Sequence, residues 1–283
     1  MGVFPSGQRG QTVNLLAMPT VVRIHPPPPK IPSAYAFGIF TSRPRGGHHF
    51  RSTHKNGEIV PLKIDFDFGT GGDAIYLALL RDKRGDVLVD CGYSGFLPRI
   101  EAAVSAHGGR MDTLAAVIVT HHDHMGALAA LKAKYPHVRV YAADGEAEYV
   151  SGRRKALRLQ QAEAMQDSLP DDQKPMGEAF MAMLRCVEPV EPDVLLASGD
   201  VLDICGGCRV VGTPGHTPGH ISLYLPEHGT VITGDAMVLE NSLPAVANPE
   251  FAYSLPDAQR SLKRLLALDA ETYICCHGGV YRR

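Results

Sequence analysis

The stretch Leu114-Ala-Ala-Val-Ile-Val-Thr120-His121-His122-Asp123-His124-Met125-Gly126 decides the reading of this chain. Its first six residues are an unbroken apolar run, the pattern of a short strand buried on both faces. The run stops at Thr120, and three histidines and an aspartate follow at once. A strand end is held rigidly by its sheet, so side chains on the loop after it can be aimed at one point. Imidazoles and a carboxylate brought to one point are metal ligands by their chemistry.

Three further segments repeat this arrangement: Thr213-Pro-Gly-His216-Thr-Pro-Gly-His220, Thr233-Gly-Asp235 and His277-Gly-Gly279. Each follows a predicted strand, over Arg209–Gly212, Val231–Thr233 and Thr272–Cys275. A single histidine after a strand is usually a satisfied polar residue, and Thr-Pro-Gly alone is a turn. Four such segments in one chain point jointly to a metal centre. The candidate ligands are His121, His122, Asp123, His124, His216, Asp235 and His277, with Asp123 and Asp235 as the candidate catalytic carboxylates. Asp235 is the candidate bridge between two cations about 3.5–4 Å apart. Metal at such a site activates water, so no serine or cysteine nucleophile is needed.

Outward from these segments, strands are predicted over Ile59–Phe68, Ala74–Leu80, Asp86–Val89 and Val138–Ala142, and again over Val201–Ile204 and Ser222–Leu225. Helical spacing covers Leu97–His107, Gly126–Lys134 and Pro256–Leu268. Glu146–Arg185, rich in Ala, Gln, Met and Leu with breaks at Pro170 and Pro175, reads as a helical insertion. Its Met165, Met176, Phe180, Met181 and Met183 would pack it onto the body or, second in preference, wall a substrate pocket. Cys205-Gly-Gly-Cys208 lacks the partner pair of a zinc knuckle and reads as a hairpin turn.

Residues 1–57 differ in kind: four consecutive prolines at Pro26–Pro29, scattered glycines and no hydrophobic period mark a poorly ordered leader. Val21-Val22-Arg23-Ile24-His25 can be encoded by DNA resembling the T-arm of a transfer-RNA gene, so the leader is expected to be translated non-coding sequence. One hydrolase domain is expected over 58–283. With 45% hydrophobic and 20% charged residues in 283, the composition is that of a globular chain. A net charge of −2 without a basic stripe argues against nucleic acid as a partner. No run suggests a membrane span, and no signal pattern opens the chain. A cytoplasmic location and a small-molecule substrate are the expectations that follow.

Over roughly residues 58–283 the chain resembles the metallo-β-lactamase superfamily, particularly its glyoxalase-II-like and lactonase-like hydrolases. The resemblance rests on Val89-Asp90-Cys91-Gly92, the His121–His124 cluster, Gly215-His216-Thr217-Pro218-Gly219-His220, Gly234-Asp235 and His277-Gly278. It implies an α/β fold, the four-layer αββα sandwich, with two mixed sheets face to face and the metal site at one edge. It also implies zinc, two ions per chain, with His216 and His277 each on one ion, Asp235 bridging, Asp90 orienting the site and His220 supporting its loop. The implied activity is hydrolysis of a small ester, thioester or lactone. A β-lactamase, a phosphodiesterase and a degenerate or single-metal member are the rivals.

The family's first motif is His-x-His-x-Asp-His, and here only His121-His122-Asp123-His124 stands, two residues short. Aligned from its end, the segment makes His121 the second ligand. Aligned from Thr120-His121, it makes His121 the first ligand and shortens the loop, with Asp123 in the second ligand's place. Inserting Asp-His between His124 and Met125 restores the family's spacing and is expected to raise metal occupancy or activity.

Overall fold

The computed structural model describes residues 56–67 and 72–283. All of the expected leader except Asn56 and Gly57 therefore lies outside the described residues.

The first sheet has six strands in chain order: β1 (Glu58–Phe66), β2 (Asp73–Asp82), β3 (Gly85–Val89), β4 (Leu114–Val119), β5 (Arg139–Ala143) and β6 (Val194–Leu196). The first three form an antiparallel meander, and β3 to β6 run parallel. Parallel neighbours need long crossovers. Helix α1 (Leu97–Ala106) supplies the first and α2 (Leu128–Lys134) the second, while the third carries α3 (Ala147–Val150), α4 (Leu157–Gln166) and α5 (Lys174–Arg185). Pro170 falls between α4 and α5, and Pro175 sits in the first turn of α5, where a missing N–H costs nothing.

The second sheet runs β14 (Gly279–Arg282), β13 (Thr272–Cys275), β10 (Thr230–Gly234), β9 (Ile221–Leu225), β8 (Cys208–Gly212), β7 (Val201–Leu202). Only β10 and β13 are parallel, joined across α6 (Leu255–Leu266). A small hairpin, β11 (Val238–Glu240) and β12 (Leu243–Ala245), stands apart.

Three apolar layers show how the sheets stack. Ala116 and Ile118 of β4 and Tyr141 of β5 meet Val210, Leu223 and Ile232 of the second sheet in a central core. Val117 and Val119 of β4, on the opposite face, pack under Ile100 and Val104 of α1 and Leu128 and Leu131 of α2. Val231 and Tyr273 pack under Leu265 of α6. The order helix, sheet, sheet, helix is the expected four-layer αββα sandwich. It explains why β4 reads as a continuous apolar run, since both of its faces are covered.

Some elements depart from the sequence reading. Strands β6, β11 and β12 fall where none is predicted, and the residues after His277 form the edge strand β14. Of the insertion's apolar residues, Met181 is buried and Met176 is exposed. Cys205 to Cys208 close the loop from β7 to β8, with both central glycines at positive φ and both thiols free.

Candidate metal centre

All the candidate segments lie at the C-terminal ends of strands. Asp90 follows β3, Thr120–His124 follows β4, the 213–220 loop follows β8, Asp235 follows β10, and His277 follows β13. Asp90 takes φ +65°, an unusual backbone for a non-glycine residue, and its carboxylate is fully engaged. It accepts hydrogen bonds from the Thr120 N–H and hydroxyl, both at 2.8 Å. Having donated to Asp90, the Thr120 hydroxyl can only accept from His121 Nδ1, 3.0 Å away. His121 Nε2 is thereby left as a bare lone pair, buried and without a hydrogen-bond partner. It points at Asp235 Oδ2, 3.7 Å distant.

Asp235 is the hub. His124 and His216 lie 3.8 and 3.5 Å from its Oδ2, and His277 3.7 Å from its Oδ1. Burial alone would raise this carboxyl's pKa, but His124, His277, His216 and His121 outweigh it and hold the group well below the ordinary carboxylate range. Its Oδ1 has no hydrogen-bond partner despite full burial. Buried polar atoms left unpartnered are costly. The arrangement resolves into two donor groups sharing Asp235: His121 with His216, and His124 with Cys276 and His277. These nitrogen, oxygen and sulfur donors fit a divalent metal of the zinc type.

The hub's backbone is fixed from behind. His220 Nε2 accepts from the Asp235 N–H at 2.9 Å, while Nδ1 meets the Thr213 hydroxyl at 2.8 Å. With both nitrogens used, His220 is a support for the loop, and burial pushes its pKa down to about 3. Gly234, at φ +53°, is obligatory: a Cβ there would stand 2.7 Å from His220 Nε2 and Thr120 Oγ1.

Two candidate ligands, His122 and Asp123, fall outside both donor groups, and His122 is committed elsewhere. Its Nδ1 pairs with Glu146 Oε2 at 2.5 Å, its Nε2 accepts from the Leu157 N–H at 3.1 Å, and its ring stacks on Tyr149. No lone pair remains for a metal. Glu146, fully buried, also accepts from the His122 N–H, the Thr217 hydroxyl and the Gly219 N–H, at 3.0, 2.7 and 2.9 Å. It straps the first histidine loop to the second. That contact requires the bare backbone of Gly219, where a Cβ would collide with the Gly145 carbonyl carbon.

Asp123 joins neither donor group. Its Oδ2 lies 3.3 Å from His216 Nε2 and 3.4 Å from Arg158 Nη2. Burial would raise its pKa, but His122, His216 and Arg158 hold it well below the ordinary value. Arg158, from the first turn of α4, also approaches His216 Nε2 at 3.4 Å and lies over the Phe251 ring.

Sequence reasoning missed Glu146, Arg158 and Cys276. Glu146 and Arg158 sit in a segment with no motif, and their partners lie far along the chain. Cys276 adjoins His277, and that adjacency was the available signal.

Comparison with known proteins adds relatives to this geometry. The family model for the metallo-beta-lactamase superfamily matches residues 70–277. "Probable metallo-hydrolase YflN" of Bacillus subtilis is 27% identical, over 72% of this chain and 79% of that protein. A hydroxyacylglutathione hydrolase of Alkalilimnicola ehrlichii is 30% identical, over 71% of this chain and 59% of that protein. The crystal structure of a metallo-beta-lactamase family protein from Thermus thermophilus superposes with a TM-score of 0.62 at 25% identity, covering 79% of this chain and 74% of that one.

Proposed function

Since the chain belongs to the metallo-beta-lactamase superfamily and is a metal-dependent hydrolase of it, we propose that its substrate is a small ester, thioester or lactone, and that it holds two zinc ions. The observation that carries this reading is the shared carboxylate: Asp235 has imidazoles facing both of its oxygens. His121 and His216 would hold one ion, His124 and His277 the other, and Asp235 both. Bound there, zinc supplies water activation and polarisation of the scissile carbonyl.

The chain's own groups do the rest. Asp90, through Thr120, keeps the His121 lone pair aimed inward, and His220 holds the Asp235 backbone. Asp123 holds Arg158 and His216 in place through its Oδ2. Arg158 presents a guanidinium at the site, a partner for a carboxylate on the substrate. A thioester is favoured among the substrates by the relative named for hydrolysis of hydroxyacylglutathione.

The test is hydrolysis by zinc-loaded protein of a panel of esters, thioesters, lactones, β-lactams and phosphodiesters. Turnover confined to the last two classes would refute the substrate assignment. A second reading, one ion per chain, is favoured by Arg158: a cation 3.4 Å from His216 Nε2 competes with metal for that nitrogen. Elemental analysis separates the readings, two zinc per chain against one.

A further inference from the structure

We propose that Cys276 is a metal ligand, so that the second donor group is a four-donor site of His124, Asp235, Cys276 and His277 that takes a soft divalent cation. The inference rests on the metal-centre reading above and extends it to a residue with no assigned part in it.

The geometry gathers four donors, two imidazoles, a carboxylate and a thiol, around one point. Cys276 Sγ lies 4.0 Å from His124 Nε2, and His277 Nε2 lies 3.3 Å from the same atom. His124 Nε2 is 3.8 Å from Asp235 Oδ2, and His277 Nε2 is 3.7 Å from Asp235 Oδ1. Tetrahedral zinc, with bonds of about 2.0–2.3 Å, separates its ligand atoms by roughly 3.3–3.6 Å. The four donor atoms all lie within 4.8 Å of one another, close enough for modest side-chain shifts to bring them onto one cation. Two imidazole nitrogens 3.3 Å apart, beside a buried carboxylate oxygen without a hydrogen bond, are a second sign that a cation belongs between them.

The neighbourhood explains why sulfur is needed. The short loop turns Asp123 towards His216 and Arg158, so it gives this group no carboxylate of its own. Cys276 is 3% exposed and stands on the site's side of the strand end, whereas Cys275 packs with Tyr273 under α6. When the sulfur takes up the cation, the thiol proton leaves to solvent, which makes binding pH-dependent. A thiolate also sets the preference: zinc, cobalt and cadmium are favoured, and magnesium and manganese are not.

The full chain, stripped of metal and reloaded with cobalt, should show the near-ultraviolet thiolate-to-cobalt charge-transfer band. The zinc form should show a sulfur scatterer at about 2.3 Å in X-ray absorption. Both signals should vanish in Cys276→Ser and survive in Cys275→Ser and in the double variant Cys205→Ser/Cys208→Ser. Cys276→Ser should also bind its second cation more weakly by at least the roughly 10–100-fold that losing a mere outer partner costs, leaving the first unchanged. If that variant fails to fold, the wild-type fine structure decides, because Cys276 is the only cysteine in either donor group among the described residues. Metal bound with no sulfur scatterer would overturn the proposal and leave the centre intact, as would signals lost only in the Cys205/Cys208 variant. A wild-type chain that binds no metal would overturn the centre and the proposal together.

Discussion

Asp235 illustrates how one side chain can be poised for a charge that it does not yet carry as a partner. Four imidazoles face its oxygens at 3.5–3.8 Å, too far for good hydrogen bonds and close enough for a shared cation. Asp235→Ala should therefore bind little or no zinc and lose hydrolysis, while His277→Ala should lose one equivalent; normal stoichiometry and turnover in the Asp235 variant would show that the bridge lies elsewhere. His220 makes a different prediction, about protons. Unfolded, it titrates near 6.5, and folded at about 3 because burial keeps it neutral. Between those values the unfolded chain holds the extra proton, so metal-free protein should lose stability as pH falls from about 6.5 towards 3. Urea unfolding at pH 7.5 and pH 5 measures this, and His220→Gln should flatten the difference.

Among the elements, what was legible depended on whether a signal is contiguous. Strand β4 was read from Leu114 to Val119, the bounds found, because both faces are buried and the apolar run is unbroken. The four motif segments were legible for a related reason, since each sits directly behind a predicted strand. By contrast, β6 exposes Leu195, and β11 and β12 are three residues each, too short to show a period. His122 looked like a ligand because its partner Glu146 lies in a helical insertion with no motif. Glu146→Ala should cost about 3–5 kcal/mol of stability by stranding buried partners, and should weaken metal binding about 10–100-fold by releasing both histidine loops; calorimetry and metal titration read the two effects separately. The compact 122–124 turn also changes the expectation for the Asp-His insertion. The short loop already sends His121 and His124 to separate donor groups, so the inserted form should bind no more metal than the native one. Higher occupancy in it would show that the loop has lost working positions.

Across the whole molecule the donors divide by sheet: His121 and His124 belong to the first, and His216, Asp235 and His277 to the second. Metal bound at that edge fastens the halves of the sandwich. Zinc at 100 times its dissociation constant should add about 2.7 kcal/mol to stability. A thermal scan should show the melting point falling on chelation in the wild type and indifferent to it in Asp235→Ala. Among the described residues no helix is long and apolar enough to cross a membrane. The same division imposes a schedule on biosynthesis. At 5–20 residues per second, the ribosome completes His277 roughly 8–30 s after His124. Throughout that interval the nascent chain carries an incomplete second donor group, because His277 is the last of its ligands to be made.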